Sequence, residues 1–331
     1  MAELRSAIVG CGGIAQVHAR ALSEMPEAEL IAFADVIPER AEAMAEKYGG
    51  RAYSSLDELL DHEKIDVLHI CTPHYLHTPM AQAAAERGIN VFTEKPPVID
   101  RQQWTEFKQL GDKVRVGICF QNRYNGSTRA LKDLLSTGEP GKVLGSRGFV
   151  TWRRDAPYYT ESGWRGALST EGGGALINQA IHTLDLMAYF LGPGQVLGAS
   201  LSNRHLKGII EVEDTLEAAL DFGDARGLFY AATAYSLDAP IIFELACENA
   251  TLRLEGERFT RIWRDGRMEQ EDYTAPDPTV PGKSYWGSSH RRCIEDFYRC
   301  VMSGERFPND IPGVSDTIEL MLSVYEAARG E

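Results

Sequence analysis

The chain has 331 residues, a length that fits two domains at roughly 150 residues each. Hydrophobic residues make up 44% and charged residues 25% of the sequence, which is typical of a globular protein and excludes extended disorder. The formal net charge of −14 excludes nucleic acid and anionic membranes as expected partners, because an acidic surface repels phosphate groups.

The six cysteines are scattered and form no CxxC pair, so we expect neither a metal site nor a disulfide framework. Reduced thiols in a chain of this size indicate a cytoplasmic protein. Arg5, the run 6–17 and Ala19-Arg20-Ala21 imitate a signal peptide, but three glycines interrupt the run and favour another interpretation. No stretch of about twenty uncharged apolar residues predicts a membrane span.

In the first third of the chain, short apolar runs alternate with segments of helical spacing. In chain order these are strand 4–9, helix 14–24, strand 29–34, a helix opened by Pro38, a helix capped by Ser55 with Glu58, strand 66–70, helix 75–87, strand 89–92, helix 101–110 after the cap Asp100, and strand 114–120. Strands separated by helices form βαβ units, which need a parallel sheet. Residues 1–122 are therefore predicted as a doubly wound α/β domain.

The remainder, residues 123–331, changes character and is predicted as an α+β domain. Runs of alternating apolar and polar residues indicate an antiparallel sheet with one exposed or partner-facing side. The predicted strands lie near 143–152, 195–203, 215–222, 227–235, 241–246 and 250–255, and the predicted helices near 175–191, 287–303 and 314–328.

A glycine-rich turn lies between the first strand and the first helix. In the segment Gly10-Cys11-Gly12-Gly13-Ile14-Ala15, Gly10 permits the tight turn and Gly12 lets backbone amides approach a pyrophosphate. We expect Gly10, Gly12, Gly13 and Ile14 to contact the cofactor. The alternative is a purely structural turn, because glycine clusters punctuate many loops.

An acidic residue follows the glycine turn after about 20 residues, at the end of the second strand. The carboxylate of Asp35 can accept both ribose hydroxyls of NAD and would repel the 2′-phosphate of NADP. Arg40, the nearby cation, lies about one turn into the next helix and is a further expected cofactor contact. We therefore expect NAD rather than NADP, with a helix-capping role for Asp35 as the alternative.

Three further segments follow strands of the predicted sheet and should reach the cofactor, because ligands of open α/β sheets bind beyond the carboxyl ends of the strands. The expected contacts are Thr72, Pro73 and His77 in the first segment, Glu94 and Lys95 in the second, and Gln121 in the third.

Lys95 is the candidate proton donor and acceptor. It lies at a strand end, and the following Pro96-Pro97 stiffens its loop. A lysine beside a nicotinamide ring with water excluded would have its pKa lowered toward the working range. From its position alone, a solvated lysine remains the alternative.

A second polar cluster lies on the segment 172–185, which begins with three glycines and continues as an apolar helix. At 100° per residue, Asn178, His182 and Asp185 fall within about 40° of one another. Such a stripe is costly to bury unless it is paired or faces a cavity. It is either a satisfied His–Asp pair in the core, or a substrate site in which Asp185 orients His182.

The segments GCGGIA, CTPHYLH, TEKPP and GGG…HTLD together resemble the glucose–fructose oxidoreductase / inositol dehydrogenase / MocA family over nearly the whole chain. The resemblance implies an NAD-binding Rossmann domain, residues 1–122, followed by a domain for substrate binding and oligomerisation, residues 123–331, with a large open, mainly antiparallel sheet. It also implies NAD(P)-dependent redox chemistry on a sugar, cyclitol or similar polyol, in homodimers or homotetramers formed through the C-terminal sheet.

The resemblance assigns proton transfer to Lys95 and substrate binding or proton shuttling to His182. Many members carry an aspartate four residues before this histidine, where this chain has Asn178. We therefore expect Lys95 to carry the main acid–base role with His182 assisting, and Asn178 to hydrogen-bond a substrate hydroxyl. This requires Lys95 and His182 to converge on one face of the nicotinamide.

Three more residues are candidate substrate contacts. Arg123 follows the last strand of the first domain, with an interdomain salt bridge as its alternative role. Trp152 and Arg165 precede the glycine run; sugars stack on aromatic rings, and arginine binds hydroxyls, carboxylates or phosphates.

Two other functions remain open. A glycosidase can use NAD for transient oxidation without net release of NADH, and a catalytically silent NAD-binding regulator would bind cofactor without turnover. Retention of Lys95 and His182 favours the dehydrogenase over both.

Overall fold

The computed structural model describes residues 3–274 and 289–330. They form two compact units, one of Met1–Phe120 with His290–Gly313 and one of Gln121–Ser289 with Val314–Glu331. Within the described ranges, no helix combines the length and the apolar character needed to cross a membrane.

The first unit is a parallel sheet with helices between its strands. Its elements are β1 Leu4–Val9, α1 Gly13–Ser23, β2 Ala28–Ala34, α2 Pro38–Tyr48, β3 Arg51–Tyr53, α3 Leu56–His62, β4 Val67–Ile70, α4 His77–Glu86, β5 Asn90–Thr93, α5 Arg101–Lys108 and β6 Val116–Ile118, joined by α10 His290–Ser303. The strand order is β3-β2-β1-β4-β5-β6 and every pairing is parallel. All carboxyl ends therefore share one edge, and the strand order reverses between β1 and β4.

Local sequence signals mark the starts of several of these helices. Pro38 occupies the first turn of α2, the hydroxyl of Ser55 accepts the amide of Glu58 in α3, and the carboxylate of Asp100 accepts the amide of Gln103 in α5. The first turn of a helix leaves its amide hydrogens unpaired. Pro38 has no amide hydrogen, and Ser55 and Asp100 each accept one from the backbone. All four residues of β4 are buried, as expected for a strand covered by helices on both faces.

Residues 290–313 pack in the first unit, although the predicted domain boundary at residue 122 places them in the second domain. The reason is the buried face of α10: Tyr298 is fully buried and its hydroxyl lies 2.6 Å from the hydroxyl of Ser6 in β1. A helix returning from the far end of the chain thus completes the cover of the parallel sheet.

The second unit is built on a larger sheet. Its elements are α6 Gly126–Ser136, β7 Val143–Thr151, α7 Ala156–Thr160, α8 Leu168–Glu171, α9 Ile181–Leu191, β8 Gln195–Ser202, β9 Thr215–Asp221, β10 Arg226–Ala232, β11 Ile242–Cys247, β12 Ala250–Glu255, β13 Arg258–Trp263, β14 Met268–Asp272 and α11 Ile311–Arg329, the last of which starts in the first unit. The strand order is β14-β13-β12-β11-β7-β10-β9-β8, and only β7 and β10 pair in parallel.

One face of this sheet is buried. In β9, Leu216, Ala218 and Leu220 are buried while Glu217 and Ala219 are exposed. Helix α9 lies close to β7, because a Cβ on Gly148 would come within 2.9 Å of the side chain of Thr183. The predicted fold class, a doubly wound parallel sheet followed by an α+β domain with a mainly antiparallel sheet, is confirmed.

Candidate active site

The glycine turn between β1 and α1 leaves open space at a helix N-terminus. Gly10 has a φ of +84°, and a Cβ there would lie 2.7 Å from the carbonyl carbon of Cys71, so only glycine fits. In contrast, a Cβ on Gly12 or Gly13 would meet nothing within 4 Å. No side chain caps α1 and its first turn holds no acidic residue. The turn therefore fits a pyrophosphate, which helix amides and the helix dipole attract.

Asp35 borders this turn at the end of β2. One carboxylate oxygen accepts the amide of Cys11 at 2.7 Å and the other accepts the amide of Ile37 at 2.8 Å. Each oxygen keeps a further lone pair, so the carboxylate can still accept ribose hydroxyls. Arg40 is exposed on α2. The residues present thus fit the ribose of NAD.

Two strand-end loops are joined by one imidazole. His77, at the start of α4, places Nε2 2.8 Å from the carbonyl oxygen of Thr72 and Nδ1 2.6 Å from that of Pro96. Burial lowers the pKa of His77, although its two backbone hydrogen bonds act in the opposite direction. The contact ties the loop after β4, which contains Pro73, to the loop after β5.

The loop after β5 carries Glu94 and Lys95. Glu94 is 7% exposed, Lys95 is half-buried, and a cis peptide bond joins Lys95 to the buried Pro96. The backbone amide of Lys95 donates to the Glu94 carboxylate at 3.2 Å. Because all six strands are parallel, this loop follows the same sheet edge as the glycine turn.

In the second unit, the helical segment that carries the predicted polar stripe changes from a π-helix to an α-helix. Residues Ala175–Ala180 form a π-helical turn and α9 begins only at Ile181. Asn178 and His182 are half-buried, while Asp185 is fully buried. The stripe predicted from regular α-helical spacing is therefore divided between a partly open part and a core part.

The core part is an ion pair. Arg123 donates to Asp185 from both Nε, at 2.9 Å, and Nη2, at 2.5 Å, and the hydroxyl of Thr317 donates to the same carboxylate at 2.7 Å. The guanidinium also lies 4.7 Å from the ring centre of Tyr189. Arg123 thus forms a buried salt bridge within the second unit, not the interdomain salt bridge given as its alternative role, and the carboxylate of Asp185 accepts from both Arg123 and Thr317.

The open part contains a histidine with a polar neighbour. The side-chain amide of Gln121, which is 3% exposed, lies 3.3 Å from Nε2 of His182. With the amide nitrogen as donor, this ring nitrogen is the acceptor. The sequence predicted Gln121 as a cofactor contact, and within the second unit it lies beside His182.

Asn178 belongs to a cluster of polar and aromatic side chains. Its amide donates to Glu171 at 2.5 Å and to the hydroxyl of Tyr158 at 3.4 Å. The guanidinium of Arg165 lies 4.5 Å from the ring centre of Tyr158 and 4.7 Å from that of Trp164. Asn178 and Arg165, both predicted substrate contacts, are thus gathered around one tyrosine.

Trp152 is placed differently from its predicted role. It is 5% exposed, its indole N–H donates to the carbonyl of Ala239 at 3.0 Å, and Arg154 lies over its ring. This environment favours packing at the end of β7 over stacking on a sugar.

Glu171 and Glu213 are buried carboxyls that our sequence analysis missed. Burial raises the pKa of the Glu171 carboxyl to about 7, against the opposing effect of its hydrogen bonds to Gly166 and Asn178. Burial also raises the pKa of Glu213, which accepts the amides of Gly174 and Leu176. A usable signal existed for Glu171, since it directly precedes the three glycines; no periodicity marks Glu213.

Both halves of the chain match one family. Residues 4–119 match an oxidoreductase family with an NAD-binding Rossmann fold, and residues 128–253 match the GFO/IDH/MocA C-terminal domain.

Two curated relatives are about 30% identical to the chain. D-glucoside 3-dehydrogenase of Escherichia coli (strain K12) is 30% identical over 258 residues, which cover 71% of each chain. Glucose-6-phosphate 3-dehydrogenase of Bacillus subtilis (strain 168) is 30% identical over 195 residues, 55% of this chain and 52% of the relative, so the match spans about half of that protein.

A solved structure extends the likeness to the whole chain. The WlbA dehydrogenase from Bordetella pertussis, in complex with NADH and UDP-GlcNAcA, superimposes with a TM-score of 0.84 at 27% identity and covers 99% of this chain and 97% of its own. Since the two matched segments follow each other in order and account for both of the family's domains, the chain belongs to the GFO/IDH/MocA family of oxidoreductases, whose N-terminal domain binds NAD.

Proposed function

We propose that the chain is an NAD(H)-dependent dehydrogenase or reductase that acts on a hydroxyl carbon of a sugar, cyclitol or sugar acid, with Lys95 as the main proton donor and acceptor and His182 assisting. The observation that carries this proposal is the placement of Lys95 on the loop after β5, at the same sheet edge as the open glycine turn and Asp35. NAD, when bound, supplies the hydride acceptor or donor.

The residues of the first unit have distinct tasks in this proposal. Gly12 and Gly13 leave room for the pyrophosphate, and Asp35 accepts ribose hydroxyls. In the oxidation direction the neutral amine of Lys95 takes the hydroxyl proton, and in reduction its ammonium returns the proton. The loops that His77 links, one of which contains Lys95, hold the amine in place.

The second unit supplies the groups for the substrate. Asn178 and Arg165 offer hydrogen-bond donors beside Tyr158, whose ring is suited to stacking on a sugar face. His182, with Nε2 as acceptor from Gln121, assists by binding or passing on a hydroxyl proton. Relatives named for glucose 6-phosphate and D-glucosides, and a structure with UDP-GlcNAcA, support a pyranose substrate.

We also propose that the protein is a cytoplasmic homodimer or homotetramer formed through the outer face of the second sheet. All six cysteines carry free thiols, which suits a reducing compartment. On that outer face Leu228 is 52% exposed, and Tyr230 lies next along the same face with its ring 6.3 Å from that of Phe149. An exposed apolar strip on a sheet favours burial against a second copy.

The test is an assay of NAD⁺ reduction with D-glucosides, hexose phosphates, inositols and sugar acids, followed by the absorbance of NADH. Net NADH formation with at least one compound supports the proposal. Glycoside cleavage without net NADH formation would indicate a glycosidase that uses NAD for transient oxidation. NAD binding without either reaction would indicate a catalytically silent regulator.

A further inference from the structure

A chain of buried polar side chains crosses the first unit and ends at the residue before Lys95. The hydroxyls of Ser6 and Tyr298 lie 2.6 Å apart, and Tyr298 lies 3.0 Å from Nε2 of His69. The Nδ1 atoms of His69 and His18 lie 3.0 Å apart, and Nε2 of His18 lies 3.1 Å from the carboxylate of Glu94. The first four side chains are 0% exposed and Glu94 is 7% exposed.

The hydrogen atoms in this buried chain have defined positions. Ser6 has one hydroxyl hydrogen, and it donates that hydrogen to the carbonyl of Leu4 at 3.0 Å. Tyr298 must therefore donate to Ser6, because a hydrogen bond needs exactly one donor. With its own hydrogen used, Tyr298 can only accept from His69, so Nε2 of His69 carries a proton.

The same reasoning places one ring hydrogen of His18. Burial, together with the charge of His18, lowers the pKa of His69 well below its usual value, so its ring is neutral and Nδ1 is the acceptor. Burial alone would raise the pKa of Glu94, but the hydrogen bond and charge of His18 and the charges of His290 and Lys95 hold that pKa well below its usual range. Nδ1 of His18 is therefore the donor to His69, and Nε2 of His18 faces the carboxylate of Glu94 at 3.1 Å.

This buried chain holds protons in place and does not conduct them. Its far end is the carbonyl oxygen of Leu4, which cannot take up a proton. The thiol of Cys119 lies within 4.8 Å of ligand atoms of His18 and Glu94, but both ring nitrogens of His18 already take part in hydrogen bonds. The arrangement is therefore suited to fixing one charge.

We propose that His18 is a positioning residue for Lys95: the buried chain from Ser6 through Tyr298 and His69 holds His18 as an imidazolium that cancels the charge of the Glu94 carboxylate, the direct neighbour of Lys95. The proposal rests on the proposed function in so far as it concerns proton transfer by Lys95.

The consequence is electrostatic. A buried carboxylate without a counter-charge beside Lys95 would stabilise the ammonium form. The imidazolium removes that effect and lets Lys95 release its proton at a pH nearer neutral. Among the described residues, the other titratable groups that interact with this pair include His69 of β4, Cys71 after β4, His77 of α4, Cys119 after β6 and His290 of α10.

The first measurement needs no enzyme activity. Ring ¹⁵N resonances of histidine-labelled protein at neutral pH should show both nitrogens of His18 protonated, with the assignment taken from His18→Gln. Ser6→Ala frees the Tyr298 hydrogen to donate to His69, so that His69 can donate to His18, and His18 should then lose its second proton at a lower pH than in the wild type. A single protonated nitrogen in the wild type would overturn the proposal.

The second measurement follows Lys95 itself. Its reactivity toward acetic anhydride, quantified by peptide mass spectrometry across pH, should show a midpoint about one pH unit higher in His18→Gln, a tenfold loss of neutral amine at fixed pH below the midpoint. The double variant His18→Gln/Glu94→Gln should return the midpoint toward wild type, and His62→Gln, a surface histidine of the same unit, should leave it unchanged.

The same shift should appear in the pH dependence of kcat/KM for alcohol oxidation. An unchanged labelling midpoint in His18→Gln overturns the role of His18 even when NADH is formed. Conversely, a protein that oxidises no compound of the panel but shows the shifted midpoint contradicts the proposed function alone.

Discussion

Glu171 is a buried acid in contact with Asn178, one of the predicted substrate residues. It is 0% exposed, and its two carboxyl oxygens accept from Asn178 and from the amide of Gly166, each at 2.5 Å. The contact with Glu171 orients the side chain of Asn178, the residue proposed to bind a substrate hydroxyl.

Replacement of Glu171 by glutamine should change the pH dependence of stability. The folded-state pKa is about 7 and the ordinary value 4.5, so the folded protein retains a proton that the unfolded chain has released between these values. Its contribution is fully present below about pH 4.5 and is lost as pH rises through about 7. The stability of the wild type relative to Glu171→Gln should therefore fall across this window by at most ~3 kcal/mol.

Urea denaturation at several pH values measures this difference, with the exposed Glu161→Gln of the same unit as the control. Parallel stability curves for the wild type and Glu171→Gln would contradict a raised pKa at this position. KM for substrate should also rise in Glu171→Gln. The side-chain NH2 group of glutamine would face one of the two donors, Asn178 or Gly166, and could not accept its hydrogen bond.

The pairing of individual residues was the part least accessible from the sequence. Helical spacing brought Asn178, His182 and Asp185 to one side, yet Asp185 bonds Arg123, 62 residues away. The local periodicity contains no information about such a partner. Asp35 was more accessible, because its place at the end of β2 follows from the βαβ order alone, and the same holds for Lys95 after β5.

At the scale of elements, the start of the helical segment 175–191 is held by tight contacts rather than by a capping side chain. A Cβ on Gly173 would overlap Tyr325, and a Cβ on Gly174 would overlap the carbonyl oxygen of Glu213. The carboxylate of Glu213 accepts hydrogen bonds from the backbone amides of Gly174 and Leu176. A π-helical turn follows, a geometry found often at functional sites.

Gly174→Ala should therefore be strongly destabilising, by about 2 kcal/mol or more, because the atom it would overlap is backbone and cannot move aside cheaply. Gly198→Ala in β8 is the matched control, since a Cβ there meets nothing within 4 Å. Urea midpoints of the two variants test the prediction. Similar midpoints would show that the glycine run is not required for packing.

The helices that begin with a capping signal were predicted well, whereas α6 and the strands β3, β13 and β14 were not predicted. The helix starts at Pro38, Ser55 and Asp100 have capping chemistry that acts within four residues. Strand β14 carries the sequence MEQED, is exposed along its length and shows no apolar alternation, as is common for an edge strand. Strand β3 has three residues, too few to display a period.

At the scale of the molecule, residues 290–313 illustrate the limit of local patterns. The apolar face of α10 predicts that the helix is buried, but not which sheet it covers. Only the contacts with Ser6 and with α1 settle that this segment belongs to the first unit.

The proposed oligomer interface gives a prediction at the same scale. Leu228→Glu places a charge on the outer sheet face and should convert an assembly of 36.7 kDa chains to monomer, because a charge opposing its symmetry copy is costly to bury. Leu237→Glu is the control, since Leu237 is 76% exposed in the loop between β10 and β11. Light scattering after size exclusion gives the mass, and a monomeric wild type would contradict the interface.

The central claim is that one residue from each unit, Lys95 and His182, serves the same reaction. A double-mutant cycle of Lys95→Met and His182→Asn, measured as single-turnover NADH formation with the NAD dissociation constant checked in each variant, tests it most directly. We predict that Lys95→Met slows the reaction ~10³-fold, His182→Asn ~10- to 100-fold, and the double variant no more than a few-fold beyond Lys95→Met, because groups that act as a unit are not additive. Losses that simply multiply, or a Lys95→Met variant with the wild-type rate, would contradict the account.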